Sequence, residues 1–408
     1  MTAATSAGSP DRTATGAGQT VAVVTPAMDT LEQDVNTWST RVGTRTLRPG
    51  QLNVVPTPDG SPAVTPADAF SVMVENTLDV EAVHGMAPDA DIMSLGLSTA
   101  DDGSILDSLT YAVDHTHASI VSLSLSFGNL PGQQAAYDEV YQEGALRGVG
   151  FYYASGDGGH DATGNFLTPQ AGDDWVTAVG GTSLGIGPDG SREWETGWGD
   201  GASALSPDGT SWEQPQNGGG SGGGWMAGQP RPWYQQGVVS DREATGEDGK
   251  VDRTGPDVAM DADAATGMLV GGTPLYGLTS PTSDPSTWQY TERRIGGTSL
   301  STPLFAGVQA LAQQARGGEP FGFANPTLYR LADTGAFRDV TPLPGAAPAT
   351  VEQRQVSADG FAPYLVQMFG QIPSTPFVPT TPEAGPGFDT ETGIGVPTGD
   401  YLSLLRTG

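Results

Sequence analysis

Cysteine is absent from the 408 residues, so neither a disulfide nor a thiolate metal site can form. Basic residues are scarce. Lys and Arg number 17 against 47 Asp and Glu, a formal net charge of −30 at neutral pH. That balance argues against nucleic acid and anionic membranes as partners. The carboxylates repel one another at neutrality, and partial protonation near about pH 4 relaxes that repulsion, so the composition suits an acidic medium. No apolar run approaches about 20 residues, so nothing in the sequence reads as a membrane span. Residues 1–17 lack the apolar segment of a signal peptide and read as a flexible leader. The only histidines are His84, His115, His117 and His160, and the only lysine is Lys250. Few bases are therefore available to any nucleophile.

Glycine and proline are plentiful, at 59 and 32 residues, and imply many turns. Apolar runs at 20–24, 90–97, 118–127, 148–154 and 176–179 read as strands. Helices are expected at 29–42, from 65 toward 83, at 104–115 and at 133–147. Thr65-Pro66-Ala67-Asp68 has the order of a helix start: a cap, proline first, an acid third. Strands alternating with such helices imply an α/β fold with a doubly wound, mostly parallel sheet. No change in complexity splits residues 18–408, so one domain is expected. Residues from about 185 to 255 and from 344 to 386 read as long loops. The glycine run 217–224 reads as ordered, because Trp212, Trp225 and Trp233 flank it and flexible linkers seldom carry tryptophan.

The stretch Gly296-Gly297-Thr298-Ser299-Leu300-Ser301-Thr302-Pro303 closes an extended run and opens a helix. Leu304, Phe305, Val308 and Leu311 then recur at helical spacing. Pro303 is expected in the first turn. Ser299 thus falls at a turn-to-helix junction, where unpaired N–H groups and the positive helix end favour a developing negative charge. A bare Gly-Thr-Ser is also an ordinary helix cap. As a nucleophile, Ser299 needs a base. The His-Gly-Thr-His signature of subtilisins is absent, and Thr25-Pro26 stands where they carry an aspartate after the first strand. Lys250 sits in a Gly/Asp-rich loop with nothing to desolvate it.

Carboxylates remain. Glu75 and Asp79 are four apart and share a helix face. Such a pair can share one proton, which pushes the two pKa values apart and offers a base in acid, where imidazole is already charged. A solvated helix face carries the same spacing. Asp157, in Ser155-Gly156-Asp157-Gly158-Gly159, follows a buried strand, and sites in parallel sheets form at strand carboxyl ends. A protonated Asp157 can donate to an oxyanion. The same residues also make a plain Asp-Gly turn.

Taken in order, ENTLDVE (75–81), HGMAPDADI (84–92), SLSFG (124–128), ASGDGG (154–159) and AVGGTSL (178–184) resemble the sedolisins, serine-carboxyl peptidases related in fold to subtilisin. The glycine loop, PRPWYQ (230–235), GPDVAMDAD (255–263) and GGTSLSTPLFAG (296–307) continue the match, which runs from about 18 to 397. The resemblance implies a subtilisin-like fold. It implies that Ser299 is the acylated nucleophile, with Glu75 as base and later acid, and Asp79 holding Glu75. Asp157 and the Ser299 N–H would form the oxyanion hole. Ser126, Phe127 and Gly128 would pair with the substrate backbone like an added strand.

The implied substrate is a peptide or unfolded protein, cut as an endopeptidase or tripeptidyl-peptidase does, in acid, outside the cell, by a monomer. Such proteins carry a pro-region ahead of the mature domain, so a mature or truncated form is expected here. The resemblance also implies one calcium ion, because Asp339-Val340-Thr341 and Gly385-Pro386-Gly387-Phe388-Asp389 match its calcium motifs. The carboxylates of Asp339 and Asp389 with the carbonyls of Val340, Gly385 and Gly387 would give hard oxygen ligands. Asn76 and Phe388 stand where relatives often carry tryptophan. Two rival readings remain: a subtilisin-like Ser/His/Asp protease using His84, and a non-catalytic binding module on a peptidase scaffold. The second needs a missing catalytic group, and none of the four is missing.

Overall fold

Four successive residues of β1 (Thr20–Val24) are wholly buried, as a strand covered on both faces requires. Val21 and Val23 enter one core and Ala22 and Val24 the other, which is the period-two consequence of the pleat. The structure is a computed structural model. It describes residues 14–58, 60, 73–99, 101–126, 132–159, 168–204, 206, 210–211, 216–246, 248–273, 288–342, 349–357, 360–368 and 384–406. Of these, 73–74, 202–204, 216–218, 349–357 and 360–368 are described by backbone alone. The expected helix start at Thr65 lies outside the described residues.

After β1 come α1 (Leu31–Val42), β2 (Leu52–Val55), α2 (Met73–Met86), β3 (Asp91–Leu95), α3 (Asp102–His115), β4 (Ile120–Leu123), α4 (Gln133–Leu146), β5 (Gly150–Ala154) and β6 (Val176–Ile186). Local signals set several ends. The Asp101 side chain caps α3 by accepting from the Ser104 N–H, and Gly43 ends α1 in the left-handed region. Beyond β6 lie β7 (Arg192–Gly197), β8 (Gly199–Ala204), β9 (Gln216–Gly220), β10 (Gly224–Pro230), α5 (Asp241–Ala244), β11 (Asp252–Gly255) and β12 (Val258–Asp261). Then follow β13 (Met268–Gly272), β14 (Thr291–Ile295), α6 (Thr298–Ala315), α7 (Asn325–Arg330), β15 (Phe337–Arg338), β16 (Ala349–Ser357), β17 (Gly360–Met368), β18 (Val396–Pro397) and α8 (Gly399–Arg406).

The main sheet has the order β12-β6-β5-β4-β1-β3-β2, every neighbouring pair parallel, with β7 antiparallel on β6. Residues of α3 and α4 cover one face, and residues of α2 and α6 cover the other. This is the doubly wound arrangement expected, with its strand carboxyl ends gathered at one edge. A small core of Leu78, Ala82, Val270 and Leu300 lies between α2, α6 and the β13–β14 hairpin. Each buried leucine contributes about 1.5–3 kcal/mol, so apolar packing fixes the spacing of the two helices. Where they cross, Gly307 lets them approach: a Cβ there would lie 2.6 Å from Met86 Cβ.

Three local expectations are corrected. Residues 185–255, read as long loops, also carry five strands, β7 to β11, with loops between them. The 344–386 stretch supplies β16 and β17, and β17 pairs antiparallel with β8, joining a four-stranded sheet with β9. Proline and polar residues mask this hairpin in the sequence, and its partner strand lies far away along the chain. Pro303 sits in the second turn of α6, because the helix already begins at Thr298. Among the described residues, no helix is long and apolar enough to cross a membrane.

Candidate active site

Gly297 turns the chain into α6 at φ +97, a conformation that suits glycine, and a Cβ there would lie 2.9 Å from Asp157 Oδ2. The glycine therefore lets the loop after β5 reach the start of α6. Asp157 is held there by Thr298, whose backbone N–H and hydroxyl both donate to Oδ1 at 2.7 Å. The Thr298 hydroxyl also accepts from the Gly156 N–H at 3.1 Å. Behind this loop stands the glycine run, which supplies β9 and the start of β10 where a loop was expected. Gly220 and Gly222 donate to the Asp157 and Gly156 carbonyls at 3.1 and 2.7 Å, and Ser221 is buried.

Ser299 is the second residue of α6, ahead of the first helical backbone bond, from the Leu300 N–H to Gly297 O. Its hydroxyl lies close enough to the carboxyl of Glu75, which arrives from α2, to lower that acid's pKa, although Glu75 Oε1 is buried without a hydrogen-bond partner. Glu75 is raised to about 8, chiefly by burial and also by the Asp157 charge, against the opposing influence of the Ser299 and Ser124 hydroxyls. One turn on, Asp79 is fully buried and raised well above the ordinary range, first by burial and then by the Glu75 charge. Asp157 is raised by burial, against the two donors of Thr298. Ser299, Glu75, Asp79 and Asp157 thus form one group of three acids around one hydroxyl. A cleft of about 210 Å³ opens beside them, lined by Ser124, Ser126, Gly156, Asp157, Thr298 and Ser299 among others.

The other sequence candidates distribute as follows. Ser126 lines the cleft and donates to Gln170 Oε1 at 3.1 Å. Phe127 and Gly128 lie outside the described residues, as does His160. Asn76 points away from the acids, its amide donating to the Pro26 carbonyl after β1. His84 is buried nine residues beyond Glu75, about 13 Å along the helix, with Nε2 2.6 Å from Arg45 O. Its pKa is lowered, chiefly by burial. His115 and His117 are exposed at and beyond the end of α3.

The calcium motifs do come together. Gly385 N–H donates to Asp389 Oδ2 and Gly387 N–H to Asp339 Oδ2, each at 3.0 Å, so both carboxylates meet one loop. Val340 is buried beside them. Asp389 is raised to about 6 by burial, and the influences that oppose this are N–H and hydroxyl donors, with no cation among them. Among the described residues no group of three or more His, Cys, Asp or Glu could hold a metal. The expected ligand set has two carboxylates and three carbonyls, so it does not depend on such a group. Both oxygens of Asp389 accept from Gly385, Glu391 and Thr392, and Asp339 accepts from Gly387 of the same loop. Two carboxylates without a cationic partner among the described residues thus meet one loop, hard oxygen donors of the kind calcium takes.

Comparison with known proteins bears on family and fold. The subtilase family model matches residues 69–336. Kumamolisin of Bacillus sp. (strain MN-32) is 30% identical over 339 residues, covering 80% of this chain and 50% of that protein. Tripeptidyl-peptidase 1 of Macaca fascicularis is 30% identical over 197 residues, 46% of this chain and 27% of its own length. Sedolisin of Pseudomonas sp. (strain 101) is 27% identical over 274 residues, 62% and 40% of the two lengths. The chain spans about half the length of kumamolisin and less of the other two. A solved structure of Pseudomonas sedolisin, a serine-carboxyl proteinase complexed with two molecules of pseudo-iodotyrostatin, shares the fold at a TM-score of 0.68. The identity is 22%, over 97% of this chain and 94% of that one. The chain belongs to the subtilase family. Within that family it is a sedolisin.

Residues of the site that the sequence did not single out include Thr298, which anchors Asp157, and Ser124, which donates to Asp79 Oδ1 at 3.0 Å. Both sit inside quoted motifs. Their partners are remote in sequence, so only their proximity to Ser299 and Ser126 could have pointed to them.

Proposed function

We propose that the chain is a serine-carboxyl peptidase that hydrolyses peptide bonds through an acyl-enzyme on Ser299. The observation that carries this reading is the convergence on one buried carboxyl, Glu75, of the Ser299 hydroxyl and the Asp157 charge, both close enough to act on it. Among the described residues, His84 lies nine residues beyond Glu75 on α2 and His115 and His117 lie at and beyond the end of α3, so none of these three is the base on offer.

In this scheme Ser299 Oγ passes its proton to Glu75 as it attacks the scissile carbonyl. The carbonyl oxygen gains negative charge and is met by the Ser299 N–H and by the proton on Asp157. With Oδ1 taken by Thr298, Oδ2 is the oxygen left to carry that proton. Glu75 then gives its proton to the leaving amine. A water molecule, losing a proton to Glu75, cleaves the ester and restores Ser299. Each proton taken up is returned. Burial and the Glu75 charge favour the protonated form of Asp79, so the two acids titrate as a pair and not independently. When Asp157 is neutral, its charge no longer holds Glu75 up, and the base ionises at lower pH. This links the oxyanion donor to the base. Glu75 is raised to about 8 chiefly by burial, so it is the family resemblance and the acidic composition that support work in acid.

The proposal extends to one calcium ion held by Asp339 and Asp389 with the carbonyls of Val340, Gly385 and Gly387. It would neutralise the buried Asp389 and tie the loop to the end of β15, supplying no step of the reaction. The family resemblance and the acidic composition support a monomer acting on peptides or unfolded proteins outside the cell, from a precursor with a pro-region.

Digestion of a peptide library over a range of pH tests the reading. Ser299→Ala and Glu75→Gln should abolish cleavage, and His84→Ala should leave it. Cleavage by the Ser299→Ala variant, or its loss in the His84→Ala variant, refutes it.

A further inference from the structure

We infer that Ser124 is a positioning residue of this site, its hydroxyl shared between Asp79 and the backbone carbonyl of the nucleophile. The inference rests on the reading of Ser299, Glu75 and Asp79 proposed above. It begins with a vacancy in the backbone ladder of α6. The carbonyl of Ser299 would accept from the N–H of residue 303, but residue 303 is proline and has none. That carbonyl needs a donor from outside the helix, and Ser124 Oγ lies 3.3 Å from it. The same Oγ lies 3.0 Å from Asp79 Oδ1. Asp79 Oδ2 is buried with no hydrogen-bond partner, so Ser124 is the donor on which the carboxyl relies.

A hydroxyl has one proton and can serve only one of these acceptors well at a time. When Asp79 is ionised, the proton goes to the carboxylate, the stronger acceptor. When Asp79 is protonated, its own O–H donates to Ser124 Oγ, and the serine proton turns to the Ser299 carbonyl. No proton leaves the cluster. The orientation of one hydroxyl follows the charge of the acid pair and conveys it to the backbone that carries the nucleophile. The other titratable groups acting on the pair are Glu75, from the same helix, and Asp157, from the loop after β5. The β4 end and α6 present the hydroxyls of Ser124 and Ser299.

Two variants of the full chain test this in opposite directions, each assayed on a peptide substrate across pH. Ser124→Ala removes the donor. Its kcat should fall about tenfold or more, with KM within about twofold, and the acid limb of kcat/KM should move up by about one pH unit, as loss of a hydrogen bond to a carboxylate requires. Pro303→Ala restores the helical N–H to the Ser299 carbonyl and releases Ser124 to Asp79. Its acid limb should move down. Ser124→Thr keeps a hydroxyl and should restore the limb. The inference is overturned if Ser124→Ala loses rate with the acid limb unmoved, if only KM changes, if activity is untouched, or if both limbs shift the same way. Full activity in Glu75→Gln would instead bring down the underlying assignment of the base, whatever the serine variants do.

Discussion

Thr298 places both its backbone N–H and its hydroxyl 2.7 Å from the same oxygen of Asp157. One side chain thereby fixes the rotation of the carboxyl and decides which oxygen can hold a proton. Asp157→Ala should lower kcat by about 10²–10³-fold, the usual cost of one oxyanion donor. Asp157→Asn keeps a neutral donor, so it should retain more rate and lose the neutral-side decline of the pH profile. Initial rates from acid to pH 8 check both.

Glu75→Gln and Asp79→Asn address the proton-handling pair. Loss of a general base typically costs about 10²–10⁴-fold. Asp79→Asn, which keeps a neutral donor, should cost less than Glu75→Gln. Single-turnover measurements of acyl-enzyme formation separate these losses from any effect on product release.

Stability should fall as pH rises from acid to mild alkali. Burial raises Asp173 to about 7, and burial with the Asp263 charge raises Asp200 to about 8. Groups with raised folded pKa stabilise the fold fully below their unfolded values, near about 4, and that contribution is lost as pH climbs through the folded values. Calorimetry should give a higher Tm at pH 4 than at pH 8. Asp200→Asn cannot ionise and should flatten the profile; an equally steep profile in that variant would remove Asp200 from the account.

At Gly297, alanine would be forced to φ +97 with its Cβ 2.9 Å from Asp157 Oδ2. Strain of this kind costs about 1–3 kcal/mol. Gly297→Ala should therefore lower Tm modestly and lower kcat/KM by more than the unfolded fraction explains, because Asp157 must move. Tm and kcat/KM measured on one preparation give the comparison.

Chelation should lower Tm if calcium occupies the 385–389 loop, by the linkage of binding to stability. Asp389→Ala should abolish that dependence and the heat of calcium binding seen by titration calorimetry. A Tm indifferent to chelator would count against the ion.

The helices and parallel strands were legible because apolar spacing reports burial directly. VAVV (21–24) has no polar position, as a strand covered on both faces requires. Ser299 was legible as a helix-start serine, and Glu75 and Asp79 as one face, for the same local reasons. The β16–β17 hairpin was not, because its pairing with β8 joins residue 365 to residue 203, and no local pattern encodes that partner. Thr298 and Ser124 were passed over because a serine or threonine has no signature until its acceptor is known.

The amino-acid sequence by itself determined the periodicities, the positions of the acids and the lack of a basic partner for most of them. Only the tertiary structure decided which acids share a dielectric environment. The pKa of a carboxyl depends on burial and on charges a few ångströms away, and those distances arise from helices packed on a sheet, across separations of over two hundred residues.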